Sequence, residues 1–402
     1  MKNSNPRLSI IVPMYNAQET ISQCVDSILS QDFEDFELIL IDNASTDNTL
    51  TICKKYMKKD TRIRVVNLNQ NGGANVARKT GIETAKADLV GFVDSDDWVE
   101  SNMYSTLINI QGKHKCDLVS SGMYRDDIRY NAQTKLLDNF KQGIYNNLPE
   151  EIYETMLFDD KINDFGIYGT LCNKLFKKDI LMSVFNGIDK RVFYGEDCLV
   201  LYSYIMRISS IYILREAFYH YNIHENSVCT TPDERLSVNS CYLYKGLQSV
   251  FMGNEKYKYI LLRQLKRYIL NIELHNMEQL YGISSFTLGT YKYDYESLKS
   301  KKIIIYGAGN SSESLYNYLI KQCNCEIVAW IDKYPDGKSM KVLHDVISIE
   351  CIDDKEYDFI VIAALKKNLA DNMKKELVNL HNIDERKIIW NKVEFDSLLS
   401  KL

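Results

Sequence analysis

Asp94, Asp96 and Asp97 crowd into four positions of VGFVDSDDWVE, residues 90–100, directly after the apolar run Val90, Gly91, Phe92 and Val93. Repulsion between them is costly unless something positive sits nearby. An extended segment delivers Asp94 and Asp96 to the same side, where they offer two hard oxygen ligands to a divalent cation. Mg²⁺ or Mn²⁺ keeps further positions for water and phosphate oxygens, so a cation bridging a diphosphate answers this pattern. A structural use of the same residues is an Asp/Ser turn in which Asp97 caps a following helix.

A second acidic pair, Glu196 and Asp197, lies in YGEDCLVLYSYI, where Gly195 allows a tight entry to a helix with Leu199, Tyr202 and Ile205 on its packing face. Such a carboxylate can take a proton from an attacking hydroxyl, or can simply sit at the positive end of the helix dipole. The residues alone leave both open. NGGANVARKTG supplies Gly72 and Gly73 for close backbone approach, and Arg78. The planar guanidinium suits a diphosphate or an acidic neighbour such as Asp94.

The elements that must position these groups alternate strand and helix from Leu8 to about Val99: LSIIVPMYN, FELILIDN, IRVVNLN and ADLVGFVD read as strands with helices between them. That alternation argues for an α/β fold with a parallel sheet covered on both faces. The strand ends read PMYN, DNASTD, NQNGG and DSDD, all polar, and ligands collect at such ends. In the first helix, Asn16 with Glu19 reads as a capping box ahead of an Ile21, Val25, Ile28, Leu29 stripe.

With its ordered motifs LSIIVPMYN, LIDNASTDNT, NQNGGANVARKTG, VGFVDSDDW and the later GED, the chain resembles glycosyltransferase family 2 over its first hundred residues, and more thinly to about residue 230. The resemblance implies a GT-A nucleotide-sugar-binding domain, a nucleotide-sugar donor, Mn²⁺ or Mg²⁺, and inversion at the anomeric carbon. It places Pro13, Tyr15, Asn16 and Asp42 around the base and ribose, with Gly73, Arg78 and Ser95 also on the donor. Asp42 can accept from a uracil N–H and Tyr15 can offer an aromatic wall, which favours a UDP-sugar. Asn43 stands where the family often has a second Asp. By the same resemblance Asp94 contacts ribose or sugar hydroxyls, Asp96 holds the metal, Asp197 is the general base and Glu196 orients the acceptor or a neighbouring loop. In YHYNIHENSV, His224 is placed to complete the metal shell or touch the diphosphate, unless it is a structural hydrogen-bonding group, and Ser227 to add a hydroxyl, while His220 reads as packing. CNKLFKKDIL resembles the segment leading to the acceptor side, with Asn173 and Lys174 as candidates there against the plainer reading of solvent-facing loop residues.

The expected division is a GT-A domain over residues 1–235, a helical linker region over 236–298 and a Rossmann-like α/β domain over 299–402. In the last, KIIIYGAGNSSESLYNYLI places Gly307 and Gly309 as a dinucleotide fingerprint requires, with Ser312 at the third glycine position and Asp332 where a ribose-binding acid belongs. The tail is expected to serve packing, homo-oligomerisation or acceptor recruitment rather than NAD chemistry. KYKYILLRQLKRYIL, residues 256–270, carries a basic face suited to an anionic membrane or acidic partner, or simply to solvent over a core helix.

A chain of 402 residues with 45% hydrophobic content supports more than one core. Net charge of -5 gives no electrostatic reason to expect nucleic acid as partner. The ten cysteines form no CxxC pair and read as reduced thiols. MKNSNPRLSIIVPMYN lacks the h-region of a secretion signal and no apolar run approaches roughly 20 residues, so the chain is expected in the cytoplasm or peripherally at the inner face of the membrane. The expected reaction is metal-dependent transfer of a sugar from a UDP-sugar to a hydroxyl of a growing surface glycan or teichoic-type polymer, the acceptor being glycan, polyol-phosphate or lipid-linked. The rival readings are a sugar-nucleotide oxidoreductase driven by the tail and a nucleotide-binding scaffold without turnover.

Overall fold

Burial on both sides explains why the strands are almost continuously apolar. In β1 (Leu8–Met14), Leu8, Ile10, Val12 and Met14 enter one core and Ile11 the opposite one; in β2 (Phe36–Asp42), Phe36, Leu38 and Leu40 part from Ile39 and Ile41 in the same way. The structure, a computed structural model, describes residues 5–127, 132–160, 162, 164–223, 233–281, 289–309, 312–333, 346–352, 355–365 and 367–397. It divides into two compact units, Met1–Asp159 with Phe165–Glu273, and Asp160–Asp164 with Leu274–Leu402.

In the first unit α1 (Ile21–Leu29) follows β1, α2 (Thr49–Lys59) follows β2, β3 (Ile63–Asn67) leads to α3 (Ala74–Thr84), and β4 (Leu89–Phe92) ends at the acidic turn. Then come β5 (Trp98–Val99), α4 (Met103–His114), β6 (Leu118–Asp127), β7 (Ala132–Leu136), β8 (Gly143–Asn146), α5 (Glu150–Thr155), β9 (Lys174–Lys177), α6 (Lys178–Phe185), α7 (Glu196–Ile205), β10 (Ser210–Ile223), α8 (Leu236–Met252) and α9 (Lys258–Tyr281). The sheet runs β3-β2-β1-β4-β9-β6-β10-β5, with β7 beside β6 and β8 beside β10. Its first four strands are parallel, as the sequence pattern implies, and β9 returns antiparallel against β4. The carboxyl ends of β2, β1 and β4 therefore lie side by side.

The capping box at Asn16 does not form. The helix begins at Ile21, and Asn16 takes a left-handed conformation (φ +50°) in which its Oδ1 accepts from Thr46 N at 2.8 Å while its own N–H donates to Ser45 Oγ at 3.0 Å. Its side chain ties the turn after β1 to the turn after β2 instead. Nor does Asp97 cap a helix, since α4 starts only at Met103.

Both helices after Ser237 contribute to this unit's core, where the sequence reading set a separate region over 236–298. Leu243, Leu247 and Phe251 of α8 and Leu261, Leu265 and Tyr268 of α9 pack with Leu199 and Tyr202 of α7. The basic segment thus lies on a core helix. No helix among the described residues is long and apolar enough to cross a membrane.

The second unit holds β11 (Gly289–Lys292), β12 (Lys302–Tyr306), α10 (Ser312–Lys321), β13 (Glu326–Asp332), β14 (Val346–Ser348), β15 (Phe359–Ile362), α11 (Lys367–His381), β16 (Ile388–Ile389) and β17 (Glu394–Ser397). Five strands form a parallel sheet in the order β14-β13-β12-β15-β16, and β11 pairs with β17. Gly307 has φ +108°, and Ala308 N donates to Asp332 Oδ2 at 2.7 Å. One oxygen of the acid assigned to a ribose is thus spent on the glycine turn itself.

Candidate active site

The acidic turn after β4 is pinned by β10. Tyr219 OH accepts from Asp94 N at 3.1 Å and donates to Asp97 Oδ2 at 2.5 Å, while Asn222 N donates to Asp97 Oδ1 at 2.8 Å and Asn222 Nδ2 to the Asp96 carbonyl at 2.6 Å. Asp97 is therefore a buried anchor with both carboxylate oxygens engaged. Burial, followed by repulsion from Asp96 and Asp94, pushes its pKa well up.

The positive group that the turn requires is Arg78, at 4% side-chain exposure on α3. Its Nη2 lies 3.0 Å from Asp94 Oδ1, and its Nη1 lies 2.7 Å from Asp197 Oδ1 and 3.5 Å from Glu196 Oε1. Burial alone would lower the guanidinium pKa, but Asp197, Asp94 and Glu196 together raise it, so Arg78 stays charged. The same burial, then the Asp197 charge, pushes Glu196 up to about 7, and burial also raises Asp197 although Arg78 opposes it. Among the described residues Arg78 is the cation ion-paired with all three carboxylates, and buried Lys174 acts on Asp197 from farther off, so negative charge is in surplus at the Arg78 cluster.

Residues remote in sequence set the rest. Cys172 Sγ donates to Asp94 Oδ2 at 2.9 Å, so both Asp94 oxygens are occupied. Gly195, at φ +75°, turns the chain into α7, and Asn239 of α8 grips the loop before it, accepting from Phe193 N at 2.8 Å and donating to Tyr194 O at 2.8 Å. Asn43 Oδ1 accepts from Gly72 N and its Nδ2 donates to Asn71 Oδ1, each at 2.9 Å; Asn71 Oδ1 also accepts from Gly73 N. An aspartate at 43 could not make the donating half of that bridge.

Gly73, Arg78, Asp94, Glu196 and Asp197 line one cavity of about 590 Å³, with Asn75, Cys172, Lys190 and a wall of aromatic side chains. That volume suits a small ligand held in a cleft. Pro13, Tyr15, Asn16 and Asp42 gather separately at the ends of β1 and β2, where Met14 is the partner of Asp42. Tyr15 is 48% exposed, and Asp42 Oδ1 is buried with no partner among the described residues. Ser95 is half-buried in the acidic turn. His224 and Ser227 lie outside the described residues. His220 is a packing residue, stacked on Trp98 and bonded to Asp126 and Glu100. Asn173 and Lys174 are buried rather than solvent-facing, because Asn173 Oδ1 and the Tyr168 carbonyl hold the ammonium, each at 2.9 Å.

Comparison with known proteins gives this constellation its context. The family model for glycosyl transferase family 2 matches residues 9–185, and GlyG of Streptococcus pneumoniae is 30% identical over 225 residues, covering 56% of this chain and 73% of GlyG. The chain belongs to glycosyltransferase family 2. This glycosyltransferase is also 28% identical over 229 residues to the minor teichoic acid biosynthesis protein GgaB of Bacillus subtilis, covering 56% of this chain but 24% of GgaB. Coverage is uneven: the chain spans 35% of the length of another Bacillus subtilis relative and 24% of GgaB. Staphylococcus aureus TarS 1–349 in complex with UDP-GlcNAc shares the fold at TM-score 0.51 and 20% identity, covering 70% of this chain and 74% of TarS 1–349. The transferase unit is thus a GT-A fold. A second model, C2185-like N-terminal, matches residues 299–389 of its tail.

The donor chemistry fits a hard divalent cation, given the surplus of carboxylates over Arg78. Among the described residues no three His, Cys, Asp or Glu side chains form a ready metal site. Asp96, the residue that would hold such a cation, lies in the turn that Asn222 fixes through the Asp96 carbonyl.

Proposed function

We propose that the transferase moves a sugar from a UDP-sugar to a hydroxyl of a growing surface glycan or teichoic-type polymer, with inversion. The observation that carries this reading is the Arg78 cluster, which gathers Asp94, Glu196 and Asp197 on one cavity wall. Relatives support the substrate class: TarS binds UDP-GlcNAc, and GgaB is a teichoic acid biosynthesis protein.

In this reading Asp42 Oδ1 accepts the uracil N–H, which would end its lack of a partner, and Tyr15 forms a wall beside the base. Arg78 faces the diphosphate, which competes with the carboxylates for the guanidinium. Asp94 meets sugar or ribose hydroxyls. Asp96 would hold the cation, Mn²⁺ or Mg²⁺, whose role when bound is to neutralise charge on the departing diphosphate. Asp197 takes the proton from the acceptor hydroxyl, its basicity raised by burial, and Glu196 beside it orients the acceptor.

The test is UDP release from a panel of UDP-sugars with Mn²⁺, Mg²⁺ or EDTA, run on wild type, Asp96→Ala and Asp197→Ala. Hydrolysis of one donor that disappears with EDTA and in Asp96→Ala, with transfer lost in Asp197→Ala, is expected. Turnover indifferent to metal and to both substitutions would overturn the assignment.

A further inference from the structure

Buried polar atoms are almost always paired, so an unpaired one in a cavity wall asks what it is for. The N-terminal half of α3 carries three such atoms. Asn75 is 8% exposed, and neither its Nδ2 nor its Oδ1 has a hydrogen-bond partner among the described residues; Arg78 Nε is likewise buried and unpaired. The two residues are three positions apart, hence on one helix face. Both line the cavity that holds Asp94, Glu196 and Asp197.

We propose that Asn75 is a specificity-determining residue that reads a substituent of the transferred sugar, a hydroxyl or acetamido group able both to donate and to accept. This rests on the transferase reading. The two unpaired sites differ in what they need. Arg78 Nε only donates, which suits the acceptor-only oxygens of a diphosphate. Asn75 presents a donor and an acceptor together, and a phosphate would leave its Oδ1 unpaired. A uracil edge offers both kinds of group, but the orphaned acceptor suited to it, Asp42 Oδ1, lies at the end of β2. A sugar hydroxyl or acetamido group beside the reacting carboxylates satisfies both halves of the amide. Leaving that amide unpaired costs the empty protein stability, and a site built this way rejects donors lacking the matching group.

The experiment is calorimetric titration of wild type, Asn75→Ala and Asn75→Ser with UDP, UDP-glucose and UDP-GlcNAc in the presence of Mn²⁺, alongside thermal denaturation without ligand. Expected are unchanged UDP affinity, a loss of about tenfold for the preferred UDP-sugar in Asn75→Ala with a smaller loss in Asn75→Ser, and no fall in the melting temperature of the empty protein. Preference for UDP-GlcNAc over UDP-glucose that vanishes in Asn75→Ala identifies the acetamido group; equal losses for both sugars identify a shared hydroxyl. An unchanged ratio of UDP-sugar to UDP affinity in the variants overturns the proposal while leaving the transferase reading intact. A melting temperature that falls in both variants with that ratio unchanged assigns Asn75 to packing and also overturns it. Wild type that binds UDP-sugar no more tightly than UDP overturns it without any variant. Failure of wild type to bind any nucleotide removes the transferase reading and this proposal together.

Discussion

At the scale of single residues the cavity is an unbalanced electrostatic object. Arg78 answers Asp94, Glu196 and Asp197 with one charge, and the shortfall is relieved either by a cation or by a proton. Glu196 is the group expected to take the proton, because burial and the Asp197 charge lift its pKa from 4.5 to about 7. Between those values the folded chain holds a proton that the unfolded chain has released, so stability falls as pH rises through the window. The slope is roughly 1.4 kcal/mol per pH unit for one proton. Denaturation of the metal-free, nucleotide-free protein from pH 4.5 to 8 should show this decline, and Glu196→Gln should flatten it. Parallel wild-type and Glu196→Gln curves would remove Glu196 as the proton's seat.

Elements matter by fixing where these side chains start. The loop before α7 is gripped by Asn239 and ends at Gly195, whose φ of +75° is a conformation that L side chains rarely adopt; an added Cβ would also sit 2.7 Å from Leu243 Cδ2. Gly195→Ala should therefore cost about 1–2 kcal/mol of stability. Because Glu196 and Asp197 are the next two residues, its effect on UDP release should fall on turnover more than on donor affinity. A variant with wild-type turnover and stability would show that the left-handed turn does not set the acids. At β4 the same logic runs through β10, since Tyr219 and Asn222 hold the backbone that presents Asp94 and Asp96.

At the scale of the whole molecule, the cavity is lined, among the described residues, by the first unit alone, including Tyr268 of α9. A chain ending at Tyr281, which keeps all of α9, should retain metal-dependent hydrolysis of the UDP-sugar. Loss of hydrolysis in that chain while its circular dichroism stays intact would mean that residues 282–402 act on the site. The parallel α/β tail would then contribute to the reaction rather than to assembly or acceptor recruitment.

Local pattern was enough to reveal the parallel β1 to β4 sheet, the acidic strand end and the glycine entry to α7, because each depends on residues within a dozen positions of one another. The family resemblance singled out Arg78, Asp94, Glu196 and Asp197, which the fold brings together on one cavity wall. Helix caps were misread at Asn16 and Asp97, since a side chain that can cap locally was claimed by a partner 30 residues away in Thr46 and 122 away in Tyr219. The Cys172 thiol on Asp94, the Asn43 bridge, Asn239 and the unpaired amide of Asn75 carry no sequence signal of their own. Hydrogen bonding and burial at those positions depend on which strand ends and helix faces meet, and only the tertiary structure decides that.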